Sequence, residues 1–432
     1  MTTRSFWILS SLISLMMIGG LLMVNSELIA LALPLMIYLV VAVFFAPGNQ
    51  KLKVIRSMST DRITQGMDFT ISLQVTNENG RIEELHLAEL SSFQVQNLEG
   101  ETSKVAPLDI GESLSYEYTI RGWRGSYRFK GLSARILDPF GIFEIREQLP
   151  ASGEVLVYPE VISLKPIPIR PPQTKGFTGP IPSRKSGTGM DFFGVRQYHL
   201  GDSLHHVNWK KSVRHTTNLF TNEYEQERIA DVGLILDARP HSDIAFQGQN
   251  LFEYCVQATA SLAEMFLDEG HCLSLLIYST AIQRVFPGYG KVQRERILRA
   301  LANAETGINY AMEHLRYFPV RLLPPRGQLV YISPLAASDL EPLLRFRAQG
   351  YHLLVLSPDP LYYEQQNESD PSQPDFQLAL RFANIEHDLL RKNLSRAGIQ
   401  VIDWKVDQPL STVLEQVHFQ KMLQQRTVRL LP

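Results

Sequence analysis

Two uncharged apolar runs at the start of the chain, residues 6–24 (FWILSSLISLMMIGGLLMV) and 28–46 (LIALALPLMIYLVVAVFFA), restrict its fold more than any other feature. As a helix, each covers ~28 Å, close to the thickness of a bilayer's hydrocarbon core. Only Asn25, Ser26 and Glu27 separate them, so the two helices must be antiparallel neighbours. Pro34 and the Gly19-Gly20 pair are tolerated in a membrane helix, where neighbouring groups re-satisfy the backbone. A signal peptide fits poorly, because the second run follows at once and no small-residue cleavage site divides the two. The expectation is a transmembrane helical hairpin over residues 1–50 that meets the lipid bilayer through residues 6–46. Arg4 precedes the first run, Lys51, Lys53 and Arg56 follow the second, and the connection holds no Lys or Arg. Such a distribution places both ends in the cytoplasm. Cys255 and Cys272 supply no disulfide framework, as suits a reducing compartment.

The rest of the 432 residues has room for two or three domains. A formal net charge of −2 and the lack of a long basic run argue against nucleic acid as a partner. Residues 51–160 read as a β-sandwich. Apolar and polar residues alternate in FTISLQVTN and again in SLSYEYTI, a turn cluster stands at 77–80, and YRFKGLSARI and EVLVYP add short strands. Residues 161–230 begin with a proline-rich stretch through 184, expected to be a linker or an extended strap. From 231 to 432 the pattern changes: VGLILD, CLSLLIY, QLVYIS, HLLVLS and IQVIDW are short apolar runs separated by segments with helical spacing. That alternation predicts an α/β domain with a mostly parallel sheet. Residues 359–375 are polar and proline-punctuated, and read as a surface insertion.

Residues 196–214, RQYHLGDSLHHVNWKKSVR, resemble the signature of the domain-of-unknown-function-58 family, with matches at Arg196, Tyr198, Gly201, Asp202, Trp209, Lys210, Ser212 and Arg214. Where that family often carries an arginine, this chain has His205 and His206. The LDPFGIF element at 137–143 is similar to another family motif. The resemblance implies a bacterial protein; with the two apolar runs and the basic residues that flank them, the expectation is a multi-pass protein of the inner (cytoplasmic) membrane with its soluble domains in the cytoplasm. The resemblance also implies a C-terminal doubly wound sheet like the von Willebrand factor A fold, and a MoxR-type AAA+ ATPase as partner.

In metal-binding von Willebrand A domains, an aspartate in the position of Asp237 opens an Asp-x-Ser-x-Ser motif that holds magnesium through hard oxygen ligands. Here the stretch reads Asp237-Ala238-Arg239-Pro240-His241. Arg239 would put a permanent cation where the metal belongs. Thr306 takes the threonine position, and Ser333 stands where the later acidic ligand usually ends its strand. The crevice of Asp237, Arg239, Thr306 and Ser333 is thus read as a degenerate metal site holding no metal. His199, His205, His206, His215 and His241 lack zinc-site spacing, since adjacent histidines on a strand face opposite ways. No phosphate loop or nucleophile elbow occurs in the chain. Gly201-Asp202 is read as a turn and Trp209 as a buried ring that clamps the two soluble domains together, with Lys210, Lys211 and Arg214 forming a positive strip. These features predict a membrane-anchored, non-catalytic interaction or assembly factor without cofactors. The alternative is a metal-dependent hydrolase using the Asp237 crevice. A third reading, an envelope-facing adhesion module, requires the opposite topology.

Overall fold

In the computed structural model the apolar runs form helices α1 (Arg4–Leu22) and α2 (Ser26–Phe44), each beginning two residues ahead of its run. The described residues are 3–48, 50–90, 96–167, 174–175, 181–214, 218–246, 249–308, 323, 327–367 and 373–415. The chain divides into two units, Met1–Tyr158 and Pro159–Pro432. Between the helices Val24 adopts φ +49°, and Asn25 Oδ1 accepts the Glu27 N–H at 3.0 Å. The helices touch through small residues: Gly20, Ala32 and Ala42 are buried, and a Cβ on Gly20 would lie 2.7 Å from Ile29 Cγ1. Ile13 is buried with them, whereas many of the other apolar side chains, Trp7, Leu15, Leu22, Ile37 and Phe44 among them, are exposed.

The sandwich strands are β1 (Lys51–Met58), β2 (Arg62–Thr64), β3 (Asp68–Asn79), β4 (Ile82–Glu89), β5 (Gln96–Gly100), β6 (Ser103–Leu108), β7 (Ser113–Arg121), β8 (Gly125–Leu137) and β9 (Glu144–Tyr158). They build one sheet in the order β1-β3-β7-β5 and another in the order β2-β9-β8-β4-β6. Strict alternation selects the inward set: Phe69, Ile71, Leu73 and Val75 of β3 meet Leu85, Leu87, Phe129, Ile136, Val155 and Val157 of the facing sheet in one core. The turn cluster at 77–80 is fastened by buried Asn77, whose Nδ2 donates to Gly80 O at 2.5 Å and Leu108 O at 3.1 Å.

The LDPFGIF element has a definite place in this unit. Asp138 folds its loop by accepting the N–H groups of Phe140, Ile142 and Phe143 at 3.3, 2.7 and 2.7 Å. The loop then holds the base of the hairpin. Phe143 meets Phe6 at 5.7 Å between centroids, Phe140 meets Tyr38 at 5.1 Å, and the Thr3 hydroxyl donates to Ile142 O at 2.8 Å.

In the second unit, residues 161–167 lie across the α/β core, with Val161, Leu164 and Ile167 packed on it and the Ile162 N–H donating to Ser261 Oγ at 2.9 Å. The strap ends there as far as the described residues show. From 181 onward the chain is a strand, which corrects the linker expected through 184. The elements follow as β10 (Thr174–Lys175), β11 (Ile181–Gln197), α3 (Trp209–Ser212), β12 (Phe220–Asp237), β13 (Ala245–Phe246), β14 (Gln249–Asn250), α4 (Leu251–Asp268), β15 (Cys272–Tyr278), β16 (Ile282–Gly288) and α5 (Gly290–Ala302). After these come β17 (Gln328–Ile332), α6 (Leu340–Ala348), β18 (His352–Pro358), α7 (Pro360–Asn367), α8 (Pro374–Arg396) and β19 (Gln400–Trp404). Helix α7 occupies part of the expected insertion. The spacing of residues 411–424 predicts a last helix; a helical stretch at 410–415 covers its start, and its remainder lies outside the described residues.

The main sheet runs β16-β15-β12-β17-β18-β19. All neighbours are parallel except the edge strand β16, which is antiparallel to β15. In order of appearance this is 3-2-1-4-5-6, with the reversal of winding at β12. Both faces are covered. Val232, Leu234 and Leu236 pack with α4 and α5 on one side, and Ile235, Tyr331 and Val355 pack with α6 and α8 on the other. Continuous apolar runs form these strands because both faces are dry. Strand β12 is longer than its apolar run. It begins at Phe220 rather than 231, and its polar first half pairs antiparallel with β11 before the chain enters the sheet.

Candidate functional site

Asp237 stands at the end of β12, where the winding reverses and a crevice must form. Its side chain is fully buried, and so is that of Asp339, which follows β17 by seven residues. Arg239 lies between them. Its Nε donates to Asp237 Oδ1 at 2.9 Å, and its Nη2 donates to Asp237 Oδ2 at 2.6 Å and to Asp339 Oδ1 at 2.8 Å. Tyr331 and Ser333 hydroxyls donate to Asp237 Oδ2 at 2.9 and 2.7 Å, and the Ala336 N–H donates to Asp339 at 3.0 Å. His241 Nε2 lies 3.2 Å from Asp237.

Two carboxylates sharing one guanidinium have unlike environments. Burial opposes ionisation of Asp237, but the charge and hydrogen bonds of Arg239, with help from His241, outweigh it and hold the carboxyl far below the usual carboxylate range. Burial and the adjacent Asp237 charge push Asp339 upward despite Arg239. Burial likewise raises the Tyr331 hydroxyl well above its ordinary value.

Sequence reasoning placed Asp237, Arg239 and Ser333 at this point, and the structure brings them together. Thr306 is not among them: its hydroxyl donates to Asp243 at 3.1 Å instead. Asp339 and Tyr331 went unread, because a carboxylate 102 residues from Asp237 becomes a neighbour only when β17 pairs with β12. Asp237, His241 and Asp339 bring ligand atoms within 4.8 Å of one another, a spacing suited to a divalent ion. Yet the guanidinium already sits 2.6–2.9 Å from both carboxylates and cannot lose its proton. With Arg239 in place these residues do not fit a metal. Of the other histidines considered, His215 lies outside the described residues. His199, His205 and His206 join no group with metal-site spacing among the described residues.

The signature segment is built around a second ion pair. Arg196, on β11, grips Asp202 with two hydrogen bonds of 2.7 Å and reaches Glu223 on β12 at 2.9 Å. Tyr198 OH donates to Asp202 O at 3.0 Å, and the His199 N–H donates to the Asp202 carboxylate at 2.9 Å. Gly201 takes φ +110°, a backbone conformation that excludes most side chains. Asn208 caps α3 by accepting the Lys211 N–H, and the Ser212 hydroxyl accepts the Phe220 N–H, both at 2.9 Å. These bonds tie residues 196–212 to β12.

One expectation is overturned here. Trp209 is not a buried clamp: it is 61% exposed, and Leu200, Leu204 and Val213 are exposed with it. Asn208 caps the helix at the residue before Trp209, so the short α3 turns the ring outward while Ser212 faces in. Lys211 lies over the Phe220 ring at 4.9 Å, and Lys210 and Arg214 are exposed.

Arg196 and the His199 N–H depress the Asp202 carboxyl to about 2, below its ordinary 3.8. The contribution of this pair is therefore complete above the ordinary value and lost as pH falls toward 2. Asp202→Asn should melt below the wild type by a constant margin at neutral pH, and the margin should shrink below pH ~4. Thermal unfolding of both proteins across that range measures it; a margin unchanged at low pH would refute the assignment.

A family model described as Protein of unknown function DUF58 matches residues 194–361, a span that holds the signature segment, Asp237, Arg239 and Asp339. This match supports the resemblance read from residues 196–214. No curated protein matches the chain. Among solved structures, the CARDB domain of the PF1109 protein from Pyrococcus furiosus is 15% identical, with 26% of this chain and 96% of that one covered and a TM-score of 0.20. A non-cellulosomal cohesin from Archaeoglobus fulgidus is 17% identical over 25% and 91%, with a TM-score of 0.18. A FixG-related protein from Vibrio parahaemolyticus is 15% identical over 26% and 98%, also with 0.18. At these scores the likenesses decide nothing about function.

Proposed function

We propose that this chain is a membrane-anchored, non-catalytic interaction protein that presents its signature segment to a protein partner. The observation that carries the proposal is the exposure of Trp209, with Leu200, Leu204 and Val213, on a segment fixed by the Arg196–Asp202–Glu223 network. Apolar side chains held rigidly in solvent cost free energy that burial against a partner recovers, and Trp is enriched at the centres of binding energy. The 3-2-1-4-5-6 order, the antiparallel third strand and the crevice at Asp237 favour a doubly wound von Willebrand factor A-like domain as the scaffold. In that scaffold Arg239 takes the place of a metal ion, which disfavours the metal-dependent hydrolase. A MoxR-type AAA+ ATPase is the partner the family resemblance implies. The exposed faces of α1 and α2 favour insertion in a bilayer, and the flanking Arg4, Lys51 and Lys53 favour a cytoplasmic location for both soluble units.

The test compares the full chain with Trp209→Ala in detergent extracts. Because the ring is mostly in solvent, melting should change by less than about 1 kcal/mol in stability terms, as for surface substitutions generally. Partner recovery should fall by roughly 30-fold, the effect of losing an interface anchor worth about 2 kcal/mol. Marked destabilisation with recovery retained would return the segment to a structural role.

A further inference from the structure

Helix α8 carries two apolar stripes. One, ending in Leu390 and Leu394, packs into the core against α6. The other consists of Leu378, Phe382, Ile385 and Leu389, whose exposures are 55, 67, 57 and 54%. Their spacing of four, three and four residues is that of a helix-pairing seam. Asp375 extends the seam three residues before it and Lys392 three residues after, both exposed and without an ion-pair partner among the described residues. Along one edge stand Arg381, which also lacks an ion-pair partner among the described residues, and Asp388, whose exposed carboxylate has only a long 3.5 Å contact with Arg391 of its own helix among the described residues.

We infer that two copies of this chain pair through α8, antiparallel, across a two-fold axis between Phe382 and Ile385. The seam is self-complementary only in that direction. Run antiparallel, Leu378 faces Leu389 of the second copy and Phe382 faces Ile385. The same register sets Asp375 against Lys392 at each end, and Arg381 beside Asp388 along each edge. Run parallel, Asp375 meets Asp375 and Lys392 meets Lys392 on the seam itself, so like charges oppose each other. An isologous contact closes on itself and leaves no free half to propagate. Four apolar residues a side make a small interface, so the pairing is weak between free chains. Confinement of both copies to one bilayer, which rests on the membrane reading above, raises their effective concentration.

Disulfide trapping tests the pairing on the full chain in membranes. Cys255 and Cys272 are buried, so the unsubstituted chain serves as the blank. Phe382→Cys and Ile385→Cys copies, differently tagged and expressed together, should yield the mixed 382–385 disulfide well above either self-disulfide. Arg381→Glu in both copies should lower the yield roughly tenfold, and Arg381→Glu with Asp388→Arg should restore it, because the two edge contacts are reversed and then re-made. No trapped dimer, a dominant 382–382 disulfide, or failure of the double reversal to restore the yield would each overturn the inference. Repeating the oxidation in concentrated detergent solution separates the two readings. Trapping there shows that α8 pairs even if the chain proves not to be a membrane protein, and absence there with trapping in membranes shows that the tether is required.

Discussion

Arg239→Met should destabilise the second unit by about 3–5 kcal/mol, lowering its melting temperature by roughly 6–20 °C. Methionine roughly keeps the length and volume of the aliphatic stem but removes the guanidinium that lies between two buried carboxylates. Asp237 keeps the hydroxyls of Tyr331 and Ser333, and Asp339 keeps the Ala336 N–H, but neither neutralises a charge. One carboxyl must then take up a proton at neutral pH, and Asp339, already raised by burial, is the one that does so. The deficit should therefore shrink as pH falls. Differential scanning calorimetry of wild type and variant between pH 7 and 5 gives the size and the slope. A loss below 1 kcal/mol would mean that the guanidinium is not what holds the crevice together. In the wild type, millimolar magnesium or manganese should leave melting unchanged, because the cation's position is filled.

The second large effect concerns location. The full chain should remain in membranes washed with alkaline carbonate, and deletion of residues 1–48 should move it to the soluble fraction. Two apolar helices of 19 residues with outward-facing Trp, Leu, Ile and Phe side chains are long and apolar enough to cross a bilayer. The deletion also bares Phe140 and Phe143, whose rings rest on Tyr38, Phe45 and Phe6. Phe140→Ser and Phe143→Ser should therefore improve the yield of the shortened chain. A reporter active only in the cytoplasm, fused after Pro432, should give signal. Release of the full chain by carbonate would end the membrane reading, and signal only from a periplasmic reporter would reverse the topology.

The elements most legible in the sequence are those set by local pattern. Run length gives α1 and α2 to within two residues, strict alternation gives β3 and β7, and continuous apolar runs give β15, β17 and β18. Pattern fails where pairing rather than burial makes the strand. The first half of β12 reads FTNEYEQERIA, too polar to signal a strand, and exists because β11 supplies its ladder. Arg239 could be placed beside Asp237 because a single residue, Ala238, separates them, whereas Asp339 needed the sheet. Trp209 went astray for a different reason. That large apolar residues gain by burial is a tendency with exceptions, and the exceptions gather where a surface is built to be covered by something else.

Photo-crosslinking from position 209 is the most direct measurement of the central claim. Trp209 is replaced by p-benzoylphenylalanine in the full chain and irradiated in intact cells, with the same probe at exposed Val292 as control. A discrete protein adduct at 209, absent at 292, is the result predicted here. No adduct at 209, or the same adducts from both positions, would contradict the assignment of the signature segment as the recognition surface.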